Sequence, residues 1–195
     1  MRKYLGLIGA VVFFTTILII SVALWRDASL TISQHVALTD WSSVLFGVAI
    51  IITVGCIGFC LLKIVREKWQ FDKIYMILAS VIIIGLLTQG LFPYSTGWSA
   101  FVHQVFGWTM LGASYLLVIF VMATTWRVSD LALKAAGFAI LGCGATAFVL
   151  RTLSSNIYYD QAFWWELSYI VLLFCFVLTL THTSPNSKAH GTIEE

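Results

Sequence analysis

The sequence predicts an all-α integral membrane bundle of six transmembrane helices with both termini cytoplasmic, and three observations predict it. Six apolar runs of about 20 residues fill most of the 195-residue chain, each long enough at ~1.5 Å rise per residue to cross a hydrocarbon core. Only 10% of the residues are charged, against ~25% in soluble domains, and the mean hydropathy is +0.95. Lys and Arg crowd into alternate connections, as the positive-inside rule demands. In lipid every backbone amide must be satisfied within its own segment, so runs of this kind are helices.

The first run, Tyr4 to Trp25, follows Met1-Arg2-Lys3. It exceeds the length of a signal-peptide core, and Leu24, Trp25, Arg26 and Asp27 offer no small-x-small cleavage site, so a retained first helix is expected. The second, Trp41 to Leu62, is preceded by Asp40, a carboxylate that favours a helix start. The third, Ile74 to Phe92, carries Gln89 one turn after Gly85; with no water to satisfy its amide, it is expected to bond another helix. The fourth, Phe101 to Trp126, opens with His103, followed by Gly107 one turn below and Ser114 three turns below. The fifth, Leu131 to Leu150, has Ala135, Ala139, Cys143 and Ala147 at four-residue intervals, a small-residue face expected to pack closely, with Arg151 as its next step. The sixth, Phe163 to Thr181, carries Glu166 near its start, where a carboxylate is again favoured. Residues 1–182 thus form one six-span transmembrane domain. Residues 183–195, without apolar periodicity, read as a disordered cytoplasmic tail.

With the N-terminus inside, nine basic residues fall on the cytoplasmic side (Arg2, Lys3, Lys63, Arg66, Lys68, Lys73, Arg127, Lys134 and Lys188) and two, Arg26 and Arg151, on the other. The expected location is a plasma membrane or a bacterial inner membrane. The basic residues flank spans and form no separate face, which argues against nucleic acid as a partner. Trp25, Trp41, Trp98, Trp126, Trp164 and Trp165, with Tyr94, Tyr158 and Tyr159, sit at span ends as an aromatic belt. Cys56, Cys60, Cys143 and Cys175 lie inside spans without redox or zinc spacing and read as small hydrophobes.

The outer side collects Asp27, His35, Asp40, His103, Arg151, Asp160 and Glu166, which suit a headgroup pocket, a metal site or a solvated rim. Arg151 either snorkels at its span end or pairs inside the bundle mouth. The His103 imidazole can bond a headgroup, take a proton, ligate a metal, or bond the preceding loop. No two His share a depth on facing spans, which argues against b-type haem, and no H-E-x-x-H occurs. No cofactor is expected.

Short segments at the outer ends carry a family resemblance. Ile32-Ser33 ahead of a second span with Phe46-Gly47, Gly90-Leu91-Phe92-Pro93 followed by His103, Arg151 closing the fifth span and Trp165-Glu166 opening the sixth resemble domain-of-unknown-function family 998. The chain is more distantly similar to the Frag/DRAM/Sfk group. Gln34-His35 stand where an acidic residue is common, and Trp165-Glu166 reverses the order of the eukaryotic group. The resemblance implies a six-span fold and a membrane location; it assigns no activity.

The leading functional expectation is a non-catalytic protein that binds or moves a lipid or other amphiphile at an outer polar mouth, with His103, Arg151 and Glu166 as ligand-binding residues. Its partners would be membrane lipids. The alternatives are an intramembrane lipid-modifying enzyme, with His103 as base and Glu166 as acid or metal partner, and a structural or assembly subunit that docks a membrane protein or a second copy of itself.

Overall fold

The computed structural model describes residues 4–24, 30–68, 73–92, 94, 97–125 and 131–182, with the backbone alone at 65–68, 125, 155, 158, 159 and 182. The expected disordered tail lies outside the described residues, as do Arg2, Lys3, Asp27, Arg127 and Lys188. Among the described residues the chain forms α1 (Leu5–Leu24), α2 (Ile32–Val36), α3 (Asp40–Lys68), α4 (Lys73–Leu91), α5 (Gly97–Thr125), α6 (Leu131–Leu153), α7 (Ser155–Asp160) and α8 (Ala162–His182), and no strand. Six of these, α1, α3, α4, α5, α6 and α8, are long and apolar enough to cross a membrane, so the protein is an all-α, multi-pass membrane bundle.

The helices exceed the apolar runs at several ends. α3 continues through Lys68, since helix propensity does not stop where hydropathy does. α5 begins at Gly97, whose φ of +62° is the left-handed conformation that glycine adopts without a Cβ clash. Two short helices occupy stretches read as plain connections. α2 owes its start to a capping box: the Gln34 amide donates to Thr31 Oγ1 at 3.2 Å while the Thr31 amide donates to Gln34 Oε1 at 2.8 Å. Thr31-x-x-Gln34 is a sequence-level signature of that start.

α1 illustrates how the spans divide between protein and lipid. It is apolar all round, yet Gly9, Ala10, Phe13, Ile17 and Ile20 are buried while Leu7, Val11, Leu18 and Val22 are exposed. Gly9 is needed where α1 crosses α3, because a Cβ there would lie 2.9 Å from the Cys56 Cβ. Thr53 of α3 also donates to the Gly9 carbonyl at 3.2 Å. The exposed aliphatic face would be a liability in water and is what a hydrocarbon solvent requires.

α1, α3, α4 and α5 pack in sequence, each extensively on the next, while α6 packs on α8, which reaches back to α3 and α1. α5 and α6 meet far more sparingly, although they are neighbours in the chain. Their contact is made by glycines: a Cβ on Gly137 would lie 2.6 Å from Met122 Sδ, and one on Gly144 would overlap the Tyr115 hydroxyl.

This corrects the small-residue face expected on α6. Ala135 and Ala139 are exposed, whereas Leu133, Gly137 and Ile140 are buried. At 3.6 residues per turn a four-residue step overshoots by about 40°, so the series drifts around the helix. It starts on the lipid side at Ala135 and turns inward through Cys143 and Ala147, both half-buried. Arg151, the next step, arrives on the side facing α5.

Candidate functional site

Where α5 and α6 part above the Tyr115–Gly144 contact, a cavity of ≈ 850 Å³ opens at the end of the bundle that carries α2 and α7. α5 contributes His103, Gln104, Gly107, Trp108, Leu111 and Tyr115 to its wall. α6 contributes Cys143, Gly144, Ala147, Phe148, Arg151 and Thr152, and α8 contributes Trp165, Glu166, Tyr169 and Ile170. Thr31, Ser33 and Gln34, with Gln89 and Tyr94, close the remaining side. His103, Arg151 and Glu166 therefore border one space.

His103 is buried, 6% exposed, and its Nδ1 lies 2.7 Å from the Phe92 carbonyl. A carbonyl only accepts, so Nδ1 carries the proton, and in the neutral ring Nε2 is the acceptor. Among the described residues no protein hydrogen bond to Nε2 is formed. The bond expected of Gln89 is present: its Nε2 donates to the His103 carbonyl at 2.8 Å and ties α4 to α5. Tyr94 packs edge-on against the imidazole with centroids 5.7 Å apart, and its hydroxyl accepts from Gln104 Nε2 at 2.9 Å. The preceding loop and the end of α4 thus fix the His103 ring.

Arg151 is exposed, and its guanidinium sits 4.7 Å over the centre of the Trp108 ring, bridging α6 to α5 at the lip of the cavity. Such a cation–π contact contributes ~0.5–1 kcal/mol at an exposed site. It holds a planar set of N–H donors beside the opening.

Glu166 lines the cavity and also joins two elements. Its Oε2 accepts from the Ile32 amide at 2.6 Å and its Oε1 from the Ser33 hydroxyl at 3.1 Å, so the carboxylate binds α2 onto α8. His35, expected in an outer-side loop, is instead in α2 and 1% exposed; its Nδ1 donates to the Thr31 carbonyl at 3.0 Å and its ring meets Phe163 edge-on. Asp160 is exposed at the end of α7, as a solvated rim residue should be.

Sequence reasoning missed part of the wall. Trp108 is a mid-span aromatic, and Trp165, a belt residue by its position in the sequence, lines the cavity. The indole N–H of Trp165 is buried without a hydrogen-bond acceptor among the described residues. The Tyr169 hydroxyl, beside Ser114, likewise forms no well-shaped hydrogen bond there. The detectable signal was the stripe Glu166, Tyr169, Ile170, Leu173, Phe174 and Val177, one face of a helix at 3.6-residue spacing.

That stripe continues below the main cavity into a second, narrow void of ≈ 70 Å³ along the bundle interior. Ser33, Gln89 and Glu166 line its upper end, and Phe46, Ile50, Ile57, Leu61, Ile82, Leu117 and Val177 are among the apolar residues below. No family model matches the chain, and no curated protein or solved structure matches it.

Proposed function

We propose that this protein binds an amphiphile with an anionic headgroup, admitted sideways from the bilayer through the gap between α5 and α6. The observation that carries the reading is Arg151 stacked on Trp108 at the lip of an ≈ 850 Å³ cavity with mainly apolar walls. That volume is typical of sites for small organic ligands (roughly 300–1,000 Å³). A guanidinium offers a paired N–H fork to phosphate or carboxylate, and the unbonded His103 Nε2 and Trp165 N–H add an acceptor and a donor in the same walls. The basic-residue asymmetry supports an outer-leaflet mouth in a plasma or bacterial inner membrane. Of the segments resembling family 998, Ser33, His103, Arg151, Trp165 and Glu166 line this mouth, and the kinship is proposed on them.

Glu166 spends both oxygens on α2, so the reading as a lipid-modifying enzyme, which uses it as an acid, draws less support. The assembly reading draws some from the exposed small residues Ala135 and Ala139 on α6.

The test is binding of tetradecyl phosphate and of uncharged tetradecanol to the purified protein in phosphatidylcholine nanodiscs. The phosphate should bind more tightly. Arg151→Gln should weaken it about 10–100-fold, the loss of a hydrogen bond to a charged group (~1.5–3 kcal/mol), and leave tetradecanol unchanged. Equal affinity of wild type and variant for the phosphate would overturn the reading.

A further inference from the structure

Resting on that reading, we propose that the ligand is a single-chain amphiphile whose one hydrocarbon tail threads from the cavity down the narrow void inside the bundle. Ser33, Gln89, Met110, Glu166, Tyr169 and Ile170 line both spaces, so the two meet at a shared neck. Met110 is the adaptable member of that neck, an unbranched side chain with several rotamers.

The residues that line the void extend over the length of one alkyl chain. The α8 residues that line it run from Glu166 to Val177, a span of ~17 Å at 1.5 Å per residue. Against the ≈ 850 Å³ of the main cavity, ≈ 70 Å³ is a slender space. Two chains side by side do not fit. A C–C bond of ~1.5 Å advances ~1.25 Å along a zigzag, so the lined length matches roughly 13 carbons, which the lining side chains must part to admit in full. Below its upper end the lining is apolar: Phe46, Ile50, Ile82, Leu173 and Phe174, then Leu61. A dry apolar tube gains by exchanging empty space for methylenes, because lining atoms without partners forfeit dispersion contacts.

Charge sets the direction of threading. Glu166 stands at the neck with its oxygens bonded to Ile32 and Ser33, while Arg151 stacks on Trp108 at the lip. An anionic head is attracted to Arg151 and finds no free donor at Glu166, whose oxygens are taken by Ile32 and Ser33, so it remains in the wide cavity and the neutral tail alone passes the neck. Phosphate and carboxylate heads share this chemistry.

The experiment uses full-length protein in phosphatidylcholine nanodiscs and three probes: tetradecyl phosphate, tetradecanoic acid and two-chain dimyristoyl phosphatidic acid. A single-chain probe should bind at least tenfold more tightly than the two-chain one, whichever anion is preferred. The same single-chain probe with a diazirine at its terminal carbon should label Leu61, Leu173 or Val177. Ile82→Phe, which fills the tube, should weaken single-chain binding at least tenfold. Label confined to outward residues such as Leu7, Val11 and Val22, or two-chain binding as tight as single-chain binding, overturns the proposal. Labelling of wild type decides the matter even if Ile82→Phe fails to fold. If Arg151→Gln weakens all three probes but the label never enters the tube, the mouth reading survives and the single-chain proposal falls. If neither variant matters and no interior residue is labelled, both fall.

Discussion

At the scale of single residues, the three predicted ligand-binding positions border one cavity but differ in what they bond. His103 keeps an acceptor nitrogen beside the cavity and Arg151 stacks on Trp108 at its lip, whereas Glu166 is committed to Ile32 and Ser33. Glu166→Ala should therefore act first on stability. It leaves the Ile32 amide and Ser33 hydroxyl without their acceptor, at a cost of ~1–3 kcal/mol. A lowered midpoint on heating in detergent, with faster amide hydrogen exchange across Ile32–Val36, is the expected outcome; unchanged exchange there would mean α2 is held by its capping box alone. The sequence made these three residues visible because each is a polar exception near an apolar run. It did not reveal what they bond. The Glu166–Ile32 contact joins positions 134 residues apart, and a backbone amide leaves no mark in side-chain chemistry. Trp108 and Tyr169 escaped notice for the opposite reason: an aromatic residue in an apolar run resembles its neighbours until a cation or a void appears beside it.

At the scale of elements, the six spans were legible from hydropathy alone, because hydrocarbon permits only helices there. The inward face of each span was not legible. A membrane helix can be apolar all round, so hydropathy marks no buried side, and close packing at small residues selects the interface instead. α6 shows how this misleads: its alanine series begins on the lipid side, and the true contact is Gly137 and Gly144 against Met122 and Tyr115. Gly144→Leu should consequently disrupt the α5–α6 approach and lower the folded yield, while Ala139→Leu should be tolerated. A finer test follows from the overlap that a Cβ at Gly144 would make with the Tyr115 hydroxyl. Gly144→Ala should destabilise the protein, and adding Tyr115→Phe should recover part of the loss, a non-additivity of ~0.5–3 kcal/mol for residues in contact. Strict additivity in a detergent unfolding series would place the α5–α6 contact elsewhere.

At the scale of the whole molecule, the cavity exists because α5 packs on α4 and α6 packs on α8, leaving these chain neighbours to meet only sparingly. Sequence order favoured the opposite, since a short connection usually sets adjacent helices side by side. An even number of spans returns the chain to its starting side, so the orientation of the bundle decides which leaflet supplies the cavity. The basic residues bear on that orientation: among the described residues Lys63, Lys73 and Lys134 lie toward the span ends opposite α2 and α7, and Arg151 lies at the end that carries them. All four native cysteines are in spanning helices and free, so a cysteine-free background is a modest change for labelling. In that background Asn156→Cys, at an exposed position in α7, should react with an impermeant maleimide added to intact cells, and Lys68→Cys should react only after permeabilisation. The reverse pattern would turn the cavity toward the cytoplasmic leaflet. Arg151 would then face the leaflet that carries the anionic lipids, and the ligand would have to be sought among cytoplasmic amphiphiles.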